Sequence, residues 1–145
     1  MGVERQQVSD NALKAHRIRR VHFWYGVAGV VIFLLTGQYM HFGYDHLRDM
    51  PDAPRMLFRS AHIYFLLASI LNVFVGVYFQ PASGKVWPRM QSVVSALLLV
   101  APVLLLIGFF REPFLSQLNR PYTSLGIEGL FVAAVLMVVL GLRRQ

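Results

Sequence analysis

Cysteine is missing from this chain of 145 residues, which excludes disulfides, iron–sulfur clusters and thiolate metal sites. Charge is scarce too, and it is unevenly spread. The windows 21–42, 60–84, 90–110 and 121–142 hold a single Asp, Glu, Lys or Arg between them, Glu128. A nucleophile–base motif, a phosphate loop and an HExxH helix are all lacking, so hydrolase chemistry has no support in the sequence. No internal repeat or low-complexity segment is present.

What remains is hydrocarbon. Each window reaches the roughly 20 residues a helix needs to cross about 30 Å of lipid. The sequence therefore predicts an all-α integral membrane protein, four transmembrane helices in an up-down-up-down bundle, with spans near 21–42, 57–80, 90–110 and 123–142. With 56% apolar residues, 14% charged and a mean hydropathy of +0.51, the spans and their connections use almost all the length. The first apolar run reads as a retained span, because Gln38-Tyr39-Met40-His41 is bulky where a signal peptide would carry a small-residue cleavage site.

A net charge of +7 would suggest nucleic acid in a soluble chain, but here the cations gather at span ends, where they set topology. Arg5, Lys14, Arg17, Arg19, Arg20, Lys85, Arg89, Arg143 and Arg144 lie on one side; Arg48, Arg55, Arg59, Arg111 and Arg120 lie on the other. Nine against five predicts cytoplasmic termini, with residues 1–20 a basic cytoplasmic segment and 143–145 a cytoplasmic tail. The expected location is a bacterial inner membrane, with no nucleic-acid partner. Ser9 or Asp10 is expected to cap a short helix ahead of the first span, its basic face on anionic headgroups.

Small and kinking residues predict how the helices meet. Gly26, Gly29 and Gly76 allow close backbone approach, and Pro102 frees a carbonyl inside the third span. Pro81-Ala82-Ser83-Gly84 signals a turn. Trp24, Tyr25, Trp87, Tyr39, Tyr44, Tyr78 and Tyr122 read as interfacial anchors.

The polar residues inside the spans are the functional candidates, since an ionisable group there costs about 2.5–3.5 kcal/mol on insertion scales. At 100° per residue, Arg59, His62, Ser69, Asn72 and Gly76 share one side of the second span, while Ile63, Phe74 and Val77 lie away from it. Gln38, His41 and Asp45 end the first span at the level of His62, and Glu128 falls at a similar depth on the fourth. A convergent outer site is expected. It could hold haem b with His41 and His62 as axial ligands and Arg55 or Arg59 on the propionates. It could equally hold Zn²⁺ or Cu²⁺ on His41, His62 and Glu128 or Asp45, or relay protons or serve a quinone through His62 and Glu128. The plainest alternative has no cofactor: Glu128 pairs with Arg59 or Arg120 and the histidines snorkel at the interface.

Two segments carry a family resemblance. Arg19-Arg20-Val21-His22-Phe23-Trp24 followed by Leu34-Leu35-Thr36-Gly37 resembles the opening helix of bacterial cytochrome b561 and hydrogenase-type cytochrome b, and Arg59-Ser60-Ala61-His62-Ile63-Tyr64 is similar to their second haem-binding helix. The resemblance covers about a third of the chain. It implies a four-helix electron-transfer protein with His22 and His62 as haem ligands on opposite sides of the membrane. No histidine follows His62, so the residues themselves assign the outer haem to His41 and His62, and His22 is expected at the interface. The opposing expectation is a non-catalytic accessory or assembly protein. With either, a membrane-protein partner or a homo-oligomer is expected.

Overall fold

The computed structural model describes residues 2–80, 87–115 and 119–142. They form four α-helices, α1 (Gly2–Tyr44), α2 (Asp52–Tyr78), α3 (Trp87–Arg111) and α4 (Pro121–Leu142), with 3₁₀ turns at Asp45–Leu47 and Glu112–Phe114. No strand occurs among the described residues. Stretches of all four, Ala15–Leu47, Asp52–Tyr78, Pro88–Phe114 and Pro121–Leu140, are long and apolar enough to cross a membrane. Large apolar side chains such as Leu35, Ile63, Val100 and Phe131 point outward on every helix, as a lipid solvent would require.

α1 differs from expectation. It runs unbroken from Gly2, without a cap at Ser9 or Asp10, for 43 residues. At 1.5 Å per residue that is about 65 Å, twice the hydrocarbon thickness, so its N-terminal part extends beyond the apolar stretch. At its other end, Asp45, His46 and Leu47 all adopt positive φ, 42°, 57° and 63°. This left-handed turn is costly for non-glycine residues, and it reverses the chain into α2. The Pro81-Ala82-Ser83-Gly84 turn lies outside the described residues.

α1 packs mainly on α2 and α3 mainly on α4, two hairpins that join mainly through α2 and α3. Among the described residues α1 and α4 have no substantial contact. The first hairpin closes on glycine. A Cβ at Gly76 would lie 2.5 Å from the Phe23 nitrogen, and one at Gly26 would lie 2.6 Å from the Ser69 carbonyl oxygen. The expected close approach is thus an α1–α2 contact. The second hairpin packs Gly126 on Leu105 and Gly108 on Thr123. A core of Phe65, Ala68, Val75, Val94, Leu98, Ala101, Leu105, Leu130 and Ala133 fills the middle. Leu47, Phe58, Ala61 and Phe109 close the end that carries the left-handed turn, called the upper end below.

Arg19 reaches across the lower end. Its Nε donates to the Gly76 carbonyl (3.2 Å) and its Nη2 to that of Val77 (2.8 Å). These are among the orphan carbonyls at the end of α2, where a cation is also favoured by the helix dipole.

Candidate functional site

Polar side chains gather in two layers, one below and one above the apolar core. The lower layer is built around His22, which is fully buried against α2 and α3. Its Nδ1 lies 2.6 Å from Asn72 Oδ1 and its Nε2 lies 2.7 Å from Ser95 Oγ. Asn72 Nδ2 donates to the carbonyls of Ala68 (2.9 Å) and Leu98 (2.7 Å). Its Oδ1 must therefore accept, which places the His22 proton on Nδ1 and leaves Nε2 to accept from the Ser95 hydroxyl.

Pro102 explains why Asn72 is needed. Lacking an N–H, it leaves the Leu98 carbonyl four residues earlier unpaired inside α3, and the Asn72 amide occupies it. The adjacent Leu99 carbonyl accepts from the Tyr25 hydroxyl at 2.7 Å, so Tyr25 is a brace across helices where an interfacial anchor was expected. His22, Tyr25, Asn72 and Ser95 tie α1, α2 and α3 together around the carbonyls one turn before Pro102.

Hydroxyl, imidazole and orienting amide in this order also occur at nucleophilic sites, a geometry invisible in sequence because the three residues are far apart in the chain. Ser95 nevertheless lies inside α3, where neighbouring backbone N–H groups are spent on the helix ladder and cannot stabilise an oxyanion. The arrangement acts as a structural brace.

In the upper layer His62 projects from α2 toward α1. Its ring stacks on Phe33 with centroids 3.9 Å apart, and Phe109 approaches from α3 at 5.9 Å. Its Nδ1 lies 3.2 Å from Thr36 Oγ1. That hydroxyl already directs its proton at the carbonyls of Ile32 and Phe33, at 3.0 and 2.9 Å, so the imidazole donates through Nδ1–H. Nε2 keeps its lone pair. The ring edge that carries it lies beside Gly37, where even a methyl group would come within 3.7 Å.

Two residues before His62, Ser60 Oγ accepts from Arg120 Nη2 at 3.1 Å, while the Arg120 Nε is buried with no hydrogen-bond partner among the described residues. Glu112, also buried, accepts from the backbone nitrogens of Tyr122 (2.8 Å) and Thr123 (2.9 Å) and from the Thr123 hydroxyl. A carboxylate thus caps the first turn of α4, which opens with Pro121 at a position where a missing N–H costs nothing.

The other expected site residues are elsewhere. His41 faces His46, with Nδ1 2.5 Å from the His46 Nε2, because the left-handed turn folds His46 back onto it. No hydrogen bond or ring contact joins His41 to His62. Arg55 pairs with Asp52 on the surface, and Arg59 is exposed. Glu128 is a correction. α4 buries Thr123, Gly126, Leu130 and Ala133, which puts Glu128 on the opposite, exposed face, where no hydrogen bond or ion pair joins it to another described residue, Arg59 and Arg120 included. Among the described residues no group of three or more His, Cys, Asp or Glu comes together to hold a metal ion; in particular His41, His62 and Glu128 do not converge. The polar stripe of α2 holds for Ser69, Asn72 and Gly76, which are buried, while Ile63, Phe74 and Val77 face out.

Sequence reasoning gave no role to Ser95, Glu112 or His46, and Arg120 entered as a topogenic charge and an ion-pair candidate. The signal for Ser95 was the combination of a buried Asn with a proline-freed carbonyl, which demands a polar cluster at that level. Comparison with protein-family models, with curated proteins and with solved structures finds no match to this chain.

Proposed function

We propose that this chain is a small multi-pass protein of a bacterial inner membrane, its bundle running up-down-up-down with both termini cytoplasmic, and that it holds haem b at the upper layer for electron transfer. One observation carries the reading. The two segments that resemble b-type cytochromes meet there, with Thr36 and Gly37 of α1 against His62 of α2. An imidazole held through Nδ1–H with a free Nε2 lone pair is the form in which histidine ligates a metal, and the partner on the second nitrogen fixes its orientation.

The residues fit the group in part. His62 is prepared as one ligand, and the orphaned Nε of Arg120 beside Ser60 offers a donor that a propionate would satisfy. His41 is not brought to His62, so the chain supplies one ligand in this arrangement. Arg120 replaces Arg55 in the propionate role, since Arg55 is already paired. When bound, haem supplies one-electron chemistry; the chain orients the imidazole and keeps it in an apolar, aromatic setting.

The test is the visible spectrum of protein expressed with ample haem. A dithionite-reduced b-type α band is expected in the parent and in His22→Gln and His41→Ala, and its loss in His62→Ala. A band that survives in His62→Ala would overturn the assignment. A parent without haem favours the second reading, a cofactor-free accessory protein, which the internally closed His22–Asn72–Ser95 brace supports. The orientation rests on the nine-to-five distribution of Lys and Arg. A reporter fused after Gln145 should be active only as a cytoplasmic fusion, and periplasmic activity there would reverse the topology.

A further inference from the structure

At the lower end, His16, Arg19, Arg20, Phe23, Trp24 and Gly76 line a cavity of about 300 Å³. No carboxylate is among the lining residues. Its three basic side chains have different commitments. Arg19 is spent on the carbonyls of Gly76 and Val77. His16 and Arg20 are exposed, and no hydrogen bond or ion pair joins either to another described residue.

Their spacing gives the cavity a direction. His16, Arg20 and Trp24 recur at i, i+4, i+8 and so line one side of α1. Passing from His16 to Trp24, this side changes from cationic to aromatic where the uncharged window begins at residue 21. Trp24 is 62% exposed, as an aromatic at a membrane–water boundary is. Gly76 contributes no side chain from α2, so the space stays open. Unpaired nitrogen donors below an aromatic wall match a phosphate ester attached to hydrocarbon chains, because guanidinium binds phosphate oxygens through paired, charge-assisted hydrogen bonds.

We propose that this cavity binds the phosphate of an anionic phospholipid, with His16 and Arg20 on the phosphate oxygens and the acyl chains passing Phe23 and Trp24. Arg19 is a positioning residue that holds the end of α2 against α1 and so shapes the cavity. The site is independent of haem and depends only on the chain lying in a bilayer.

The test uses the full chain carrying Trp87→Phe, which leaves Trp24 as the one remaining tryptophan, in phosphatidylcholine vesicles. Trp24 fluorescence is titrated with brominated-chain phosphatidylglycerol and, separately, with brominated-chain phosphatidylcholine. The anionic lipid should quench at about fivefold lower mole fraction, from about 1 kcal/mol for the Arg20 cation. Adding His16→Gln and Arg20→Gln together should erase the preference, while Arg20→Lys should keep most of it. Far-UV circular dichroism checks that these exposed changes leave the helices intact. Equal quenching by the two lipids, or a preference that survives the double change, would overturn the proposal. So would loss of the preference on adding millimolar inorganic phosphate, which would identify the free anion as the ligand.

Discussion

Gly76→Ala should destabilise the α1–α2 hairpin by about 1–3 kcal/mol or more, the range for overpacking a filled site. The added Cβ would stand 2.5 Å from the Phe23 nitrogen and 2.6 Å from its Cα and Cβ, and none of these is the yielding tip of a flexible side chain. α1 would have to move away from α2. That movement would also loosen the bonds from Arg19 to Gly76 and Val77 and the contact of His22 with Asn72, both of which cross the same seam. Gly26→Ala should behave alike, since its Cβ would meet the Ser69 carbonyl oxygen and the Val73 nitrogen at 2.6 Å. Gly43→Ala is the internal control. Only the Tyr39 ring lies near, at 3.8 Å, and alanine favours a helix over glycine by up to about 1 kcal/mol, so stability should hold or rise. Reversible unfolding in mixed micelles, followed by circular dichroism, measures all three. Equal effects at Gly76 and Gly43 would mean that the helices do not touch at Gly76.

The glycines were legible because membrane packing rewards small residues wherever backbones approach, and the sequence offers few such places. The stripe on α2 was legible because polar groups at 100° spacing can share only an inward face. Pro102 was half legible. That it frees a carbonyl follows from its chemistry, but which side chain takes that carbonyl depends on helix pairing, and Asn72 is 30 residues away in sequence. The partners of His22 were hidden for a related reason. That residue begins an apolar window, where a polar residue reads as interfacial, yet α1 continues as helix below it and α2 and α3 cover it. Arg19 counted as one topogenic charge among nine, although its guanidinium also closes the end of α2. Position relative to a span boundary fixes depth; it does not say what a neighbouring helix will present at that depth.

The two glutamates near α4 make the same point and yield the last large effect. Glu112→Ala should cost about 3 kcal/mol, because it strands the part-buried N–H of Tyr122 and the buried N–H of Thr123 at roughly 1–3 kcal/mol each. Glu112→Gln keeps one acceptor oxygen but gives up the charge at a helix N-terminus, and should cost about half as much. Glu128→Gln should stay within about 0.5 kcal/mol of the parent, as surface changes that touch no partner do. The sequence ranks the two the other way. Glu128 stands out as the one charge in a window, whereas Glu112 lies just past the end of another and looks like part of a solvated loop. α4 is apolar all round, so its own pattern does not choose a buried face; that choice is made by Leu105 and Thr123 packing around Gly126 and Gly108. Once it is made, Glu128 turns outward and the Glu112 carboxylate, carried by the turn after α3, meets the open end of α4. Unfolding of the three variants beside the parent decides the matter. A loss of 2 kcal/mol or more in Glu128→Gln, with Glu112→Ala near the parent, would mean that α4 is rotated about its axis from the orientation described.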